Sequence, residues 1–227
     1  MRYLGMALFA EGPTDYRFLP PVLRRTTENL CLQRAVTTIE LGEILPLYSP
    51  LKYRKADLET QILEAAREAQ GSFDILFIHT DGAGDPTAAY AERVQRASER
   101  VAAEIQPPQQ RTIGVVPVRE MEAWTLVDGD ALRLGFGTVL NDSALGIPAK
   151  AREVEKILDP KQTLNLVYRQ VMGSRRRKTS RKVEEFFEAI AERVQLSCLR
   201  QVPAFQRFEQ ELSDVIVELG YLTKSNE

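Results

Sequence analysis

Three acidic clusters stand immediately behind apolar runs in this chain. Leu4 to Ala10 leads into Glu11-Gly12-Pro13-Thr14-Asp15, Asp74 to Thr80 leads into Asp81-Gly82-Ala83-Gly84-Asp85, and Thr112 to Val118 leads into Glu120-Met121-Glu122. A carboxylate at the end of a buried strand is costly unless something binds it. Oxygen ligands of this kind suit hard divalent cations, Mg²⁺ or Mn²⁺, and magnesium commonly needs only one or two carboxylates besides water and substrate phosphate. Such a cation neutralises nonbridging oxygens and activates a water, which is what phosphodiester cleavage requires. Asp81 is the expected principal ligand, Glu11 a ligand or general base raised in pKa by acidic neighbours, and Asp85 and Glu122 supporting ligands. Asp15, four residues after Glu11, is a further ligand candidate, or else opens a helix and caps its amides.

These groups act together only if the fold gathers them. Strands are expected near Tyr3 to Phe9, Ala35 to Leu41, Phe73 to Thr80 and Arg111 to Val118. Helices are expected between them, near Thr14 to Leu30, Lys55 to Gln70 and Pro86 to Ile105. Alternating strands and helices predict an α/β fold, a mostly parallel sheet of about four strands with helices on both faces. In such a sheet the carboxyl ends of the strands share one edge, where ligands bind. Gly42 to Arg54, with two prolines and no clear periodicity, reads as a surface loop. After Asp128 the strand signal ends: Gly129 to Pro148 is punctuated by glycine, and helices are expected near Ala149 to Leu158, Pro160 to Met172, Arg181 to Val194 and Val202 to Leu219. The implied division is a catalytic domain over 1–128 and a helical extension packed on it over 129–227.

Bulk properties narrow the chemistry further. At 227 residues, 44% hydrophobic and 27% charged, the chain can bury a substantial core. It shows neither a basic leader followed by a long apolar segment nor a run of about 18 uncharged apolar residues, so a cytoplasmic location is expected. Cys31 and Cys198, far apart in sequence, suit buried thiols better than a disulfide framework or a thiolate zinc site. His79 is the single histidine, which excludes a multi-histidine zinc centre. At the end of an apolar strand it reads as a satisfied, partly buried side chain. Trp124 and Phe205 read as core anchors. Asp85, just ahead of Pro86, has the position of a helix cap as well as that of a ligand. Glu120 and Glu122 are two apart and do not share a helix face, so at most one of them is expected at the site, and Glu122 is favoured.

Net charge is −2, but it is segregated. Arg175, Arg176, Arg177, Lys178, Arg181 and Lys182 place six positive charges in eight positions, and without them the remainder carries −8. Such a run contacts phosphates with little sequence preference, or forms a solvated loop between helices.

Glu11-Gly12-x-x-Asp15 behind the first strand, the acidic cluster behind a later strand, and the order of elements resemble the Toprim fold of primases, topoisomerases and overcoming-lysogenization-defect nucleases. Val118-Arg119-Glu120-Met121-Glu122-Ala123-Trp124 together with Val202-Pro203-Ala204-Phe205-Gln206-Arg207-Phe208 is similar to a bacterial Toprim-like family, domain of unknown function 4276. By this resemblance Glu11 matches the Toprim glutamate, Asp81 the first aspartate of Asp-x-Asp, and Glu122 the later acidic position. Ala83 stands where the second aspartate belongs, and Asp85 is its nearest replacement. The resemblance implies a Mg²⁺- or Mn²⁺-dependent nuclease acting on DNA, with RNA left open, in bacterial anti-phage defence. It also implies an ATPase partner of the ABC or SMC type, since no Gly-x-x-x-x-Gly-Lys-Ser/Thr loop occurs here. The rival reading is a degraded Toprim-like subunit that binds an ATPase or nucleic acid without cutting. Nucleotidyl transfer would use the same edge, and a homo-oligomer is left open.

Overall fold

The structure is a computed structural model that describes residues 1–105, 111–173 and 182–223. Four parallel strands, β1 (Arg2–Ala10), β2 (Ile39–Leu47), β3 (Ile75–His79) and β4 (Arg111–Val115), lie in the order β2-β1-β3-β4. Strand side chains alternate between faces, and the burial pattern follows that period. Leu4, Met6, Leu8, Ile75, Phe77, Ile113 and Val115 enter one core, and Ala7, Phe9, Leu76 and Ile78 enter the other. Both faces are therefore covered, as a fully parallel sheet demands.

The second core is closed by α2 (Leu58–Glu68), α3 (Pro86–Ala89), a π-helical turn (Tyr90–Gln95) and α4 (Arg96–Glu104). The first and larger core is closed by α1 (Asp15–Arg34) and by the helices after β4. These are α5 (Glu122–Thr125), α6 (Gly129–Phe136), α7 (Asp142–Leu145), α8 (Pro160–Met172), α9 (Phe187–Ala191), α10 (Leu196–Leu199) and α11 (Pro203–Glu218). α6 and α7 end at Gly137 and Gly146, both left-handed at φ 68° and 72°, a conformation glycine enters without Cβ strain. Trp124 is fully buried against Phe205, edge to face at 5.3 Å, and against Phe208. One continuous core thus contains Leu4 and Phe77 from the sheet together with Phe187 and Phe205 from the C-terminal helices, and it crosses the expected division at residue 128. Among the described residues no helix is long and apolar enough to cross a membrane.

The second strand departs from expectation. Its paired residues are Ile39 to Leu47, so the first part of the segment read as a loop, Gly42 to Leu47, is strand, and Ala35 to Thr38 lie outside it. β2 is an edge strand: only Ile44 and Leu47 are buried, along with Gly42, whose missing side chain leaves room for the Tyr3 hydroxyl. A proline such as Pro46 is tolerated at an edge. The register shift between Leu4 and Met6 blurs the period further. In the C-terminal half the expected Ala149–Leu158 helix is a 3₁₀ segment, Ala151–Lys156, and Arg181–Val194 holds a 3₁₀ turn, Val183–Phe186, ahead of α9.

Candidate active site at the strand switch point

β1 connects to β2 on one side of the sheet, while β3 lies on its other side, so the strand order reverses between β1 and β3. Ligands of open α/β sheets bind at such a crevice. Register aligns β1, β3 and β4 there: Ala10 pairs with His79, and His79 with Val115. The residues that follow, Glu11 and Thr80, are consequently neighbours, and the Thr80 hydroxyl donates to Glu11 Oε1 at 2.6 Å. Arg93, from the π-helical turn, donates to Thr80 Oγ1 at 2.8 Å and to Glu11 Oε1 at 3.3 Å. Glu11 is therefore neutralised by a guanidinium. The crowding by carboxylates expected at Glu11 occurs at Asp81 instead.

His79 is 2% exposed and directs Nδ1 at the Val115 carbonyl, 2.8 Å away. An N–H at Nδ1 leaves Nε2 facing two carboxylates, Asp15 Oδ2 and Asp81 Oδ1, each at 3.7 Å. Asp15 Oδ2 accepts from the Gly12 amide at 2.9 Å, which fixes the turn between β1 and α1. Asp81 Oδ1 accepts from the Met121 amide at 3.2 Å. Partial burial pushes the Asp81 carboxyl above the ordinary carboxylate range. His79 and the Met121 amide oppose the rise, and the negative charges of Asp15 and Glu120 add to it. Raised carboxyl pKa values of this kind cluster at functional sites.

The loop after β3 is stitched to the loop after β4 by Gly82 N to Pro117 O, Ala83 N to Arg119 O and Gly84 N to Val118 O. A Cβ on Gly82 would lie 2.2 Å from the Pro117 carbonyl, so only glycine permits this approach. Ala83 adopts φ 50° and Gly84 φ 99°. A non-glycine residue at positive φ stores strain of a kind found at functional sites. This stitching brings Glu120 and Glu122 to the same edge as Asp81. Glu120 Oε2 accepts from the Lys161 amide at the start of α8. Glu122 opens α5 at 7% exposure, and burial pushes its carboxyl up to about 7. Its own backbone amide and Lys161 oppose the rise, while Glu120 and Asp81 add to it.

Asp85 does something else. It is exposed and caps α3, accepting from the Ala88 amide at 2.9 Å, and the turn through Gly82 and Gly84 carries it to that cap. Of the basic run, Arg175, Arg176, Arg177, Lys178 and Arg181 lie outside the described residues. Lys182 precedes the Val183–Phe186 turn, where its amide donates to Glu185.

A family model for a domain of unknown function, DUF4276, matches residues 10–213. The chain belongs to the DUF4276 family. No curated protein and no solved structure matches it. In this DUF4276 chain the family match contains every acidic residue of the edge, from Glu11 to Glu122.

Thr80, Arg93 and Lys161 join the site although the sequence does not single them out, and Glu120 stands beside Asp81 together with Glu122, where only one of the pair was expected. Thr80 was within reach of inspection, since it directly precedes Asp81. Arg93 gives no signal of its own, because an arginine on an amphipathic helix is indistinguishable from a solvated charge.

Among the described residues no group of three or more His, Cys, Asp or Glu side chains is arranged to hold a metal ion by itself. The donor set does fit a cation that needs two protein carboxylates: Asp15 and Asp81 flank one histidine nitrogen, and Asp81 is held at an electrostatic cost that a positive ion would relieve.

Proposed function

We propose that this chain is a Toprim-like, divalent-metal-dependent nuclease that hydrolyses phosphodiester bonds of DNA. The observation that carries this reading is the strained Asp81 carboxylate, set at the switch point among Asp15, Glu120 and Glu122. Asp15 and Asp81 would hold Mg²⁺ or Mn²⁺. Such an ion, when bound, supplies charge neutralisation and a water acidified toward neutrality.

The remaining work falls to side chains of the chain. His79, held through Nδ1 at the Val115 carbonyl, keeps its other ring nitrogen 3.7 Å from both carboxylates, which the Gly12 and Met121 amides hold in place. Arg93 holds Glu11 and Thr80 and brings positive charge to the crevice where a phosphate would lie. Glu122, with its carboxyl pushed up to about 7, can take up or release a proton near neutral pH next to the negative charge of Asp81. Placement in a bacterial anti-phage system with an ABC- or SMC-type ATPase follows from the Toprim resemblance alone.

A second reading has a specific observation behind it. Ala83 occupies the position of the second Toprim aspartate and Asp85 is engaged as a helix cap, which suits a subunit that binds an ATPase or nucleic acid without cutting. Incubation of purified protein with plasmid and linear DNA in Mg²⁺, Mn²⁺ or EDTA separates the two. Cleavage is expected with either cation and absent in EDTA. Cleavage persisting in EDTA, or no cleavage under any condition with an ATPase partner supplied, overturns the nuclease reading.

A further inference from the structure

Next to the acidic edge lies a recess of about 790 Å³ formed by the ends of β1 and β2, the segment after β2, α2 and the π-helical turn. Its volume falls in the range of about 300–1,000 Å³ typical of small-ligand sites. Glu11 and Arg93 line it from the side of the acidic edge, and Tyr48, Ser49 and Arg54 from the other. The Tyr48 ring is 61% exposed and rests on Tyr16, with ring centroids 4.8 Å apart. Tyr16 is itself immobilised. Its hydroxyl accepts from the Ala10 amide and lies against the Leu47 carbonyl, and burial pushes the phenol up to about 12, so it stays protonated. Tyr48 is therefore an aromatic platform already fixed by the strand ends.

Arg54 is exposed and has no carboxylate partner among the described residues. Arg93 engages Glu11 and Thr80 through one guanidinium nitrogen only. The Ser49 hydroxyl is buried without a hydrogen-bond partner. The π-helical turn that carries Arg93 is a rare element, often found where a side chain must be re-aimed for function.

We infer that this recess binds an unpaired nucleotide of the strand whose phosphate reaches the acidic edge. The base stacks on Tyr48, and the phosphates lie between Arg54 and Arg93. An aromatic face with flanking arginines is the chemistry that holds single-stranded nucleic acid without reading its sequence. A base paired in a duplex cannot leave its stack to reach the Tyr48 ring without paying for unstacking. The site therefore selects overhangs, flaps or single strands over blunt duplex.

This inference rests on nucleic acid being the substrate of the acidic edge, and binding measured without turnover keeps the two separable. Fluorescence anisotropy with a labelled oligothymidylate and with a blunt duplex, in Ca²⁺ in place of Mg²⁺, gives the readout. Tyr48→Ala and Arg54→Ala are each expected to weaken oligothymidylate binding about tenfold, in keeping with stacking losses per base. Tyr48→Phe, which keeps the ring, should bind as wild type, and duplex affinity should be unchanged in all three. Thymidine monophosphate should displace the oligonucleotide only weakly. Unchanged oligothymidylate affinity in Tyr48→Ala, an equal loss for duplex, or a mononucleotide that binds as tightly as the strand overturns the assignment. Loss of single-strand binding in Tyr48→Ala by a protein that never cleaves keeps the recess and sinks hydrolysis. Full cleavage with unaltered single-strand binding in Tyr48→Ala does the reverse.

Discussion

Asp81→Asn is expected to slow cation-dependent DNA cleavage by at least about 10²-fold while leaving the protein as stable as wild type or more so. Asparagine keeps an oxygen that accepts from the Met121 amide, so the junction between the loops after β3 and β4 survives. What disappears is one negative charge, and the fold already disfavours that charge through burial and through Asp15 and Glu120. A residue kept for stability would behave in the opposite way, losing stability when neutralised. Asp85→Ala supplies the contrast: it removes the cap of α3, costs about 1 kcal/mol, and should leave most of the cleavage rate intact. Thermal melts and initial cleavage rates on the same preparations check both. A fall in stability with unchanged cleavage in Asp81→Asn would contradict the assignment.

Glu122→Gln is expected to stabilise the protein by about 2–3 kcal/mol at pH 8 in EDTA and by almost nothing below about pH 4. The sign follows from the shift. The folded carboxyl titrates at about 7, above its ordinary value of 4.5, so the native state holds the proton more tightly than the unfolded chain. Stability is therefore greatest below the unfolded value, declines between about 4.5 and 7, and is lowest above 7. Glutamine carries no charge at any pH and escapes the penalty. At this chain length the difference corresponds to a melting point higher by roughly 5–10 °C at pH 8. Coincident melting curves at pH 8 would show that Glu122 is not held near neutrality.

The reach of the sequence is clearest at the strand ends. β1 and β3 announce themselves as apolar runs because a doubly covered central parallel strand has no polar face, and β4, though at the other edge, buries its last three residues. β2 hides because an edge strand needs few apolar side chains, and Gly42 and Pro46 interrupt those it has. Within the site, Glu11, Asp81 and Glu122 were visible as types in position. Their partners were not. Arg93 meets Glu11 across 82 residues, and Lys161 meets Glu120 across 41, through a strand order that no local pattern encodes. Asp85 reads in the sequence both as a ligand and as a cap, and in the fold it takes the role that the adjacent Pro86 marks, capping the helix that starts there.

The central claim is that Asp15 and Asp81 together attract a divalent cation. Titration of Mn²⁺ into wild type and Asp81→Asn, followed by electron paramagnetic resonance of the free ion, tests it without reference to turnover. The account predicts saturable binding to wild type that tightens when a single-stranded oligonucleotide is added, because substrate phosphates complete the coordination sphere. It predicts at least about tenfold weaker binding in the variant. Equal binding by the two proteins, or none by wild type with the oligonucleotide present, would contradict it.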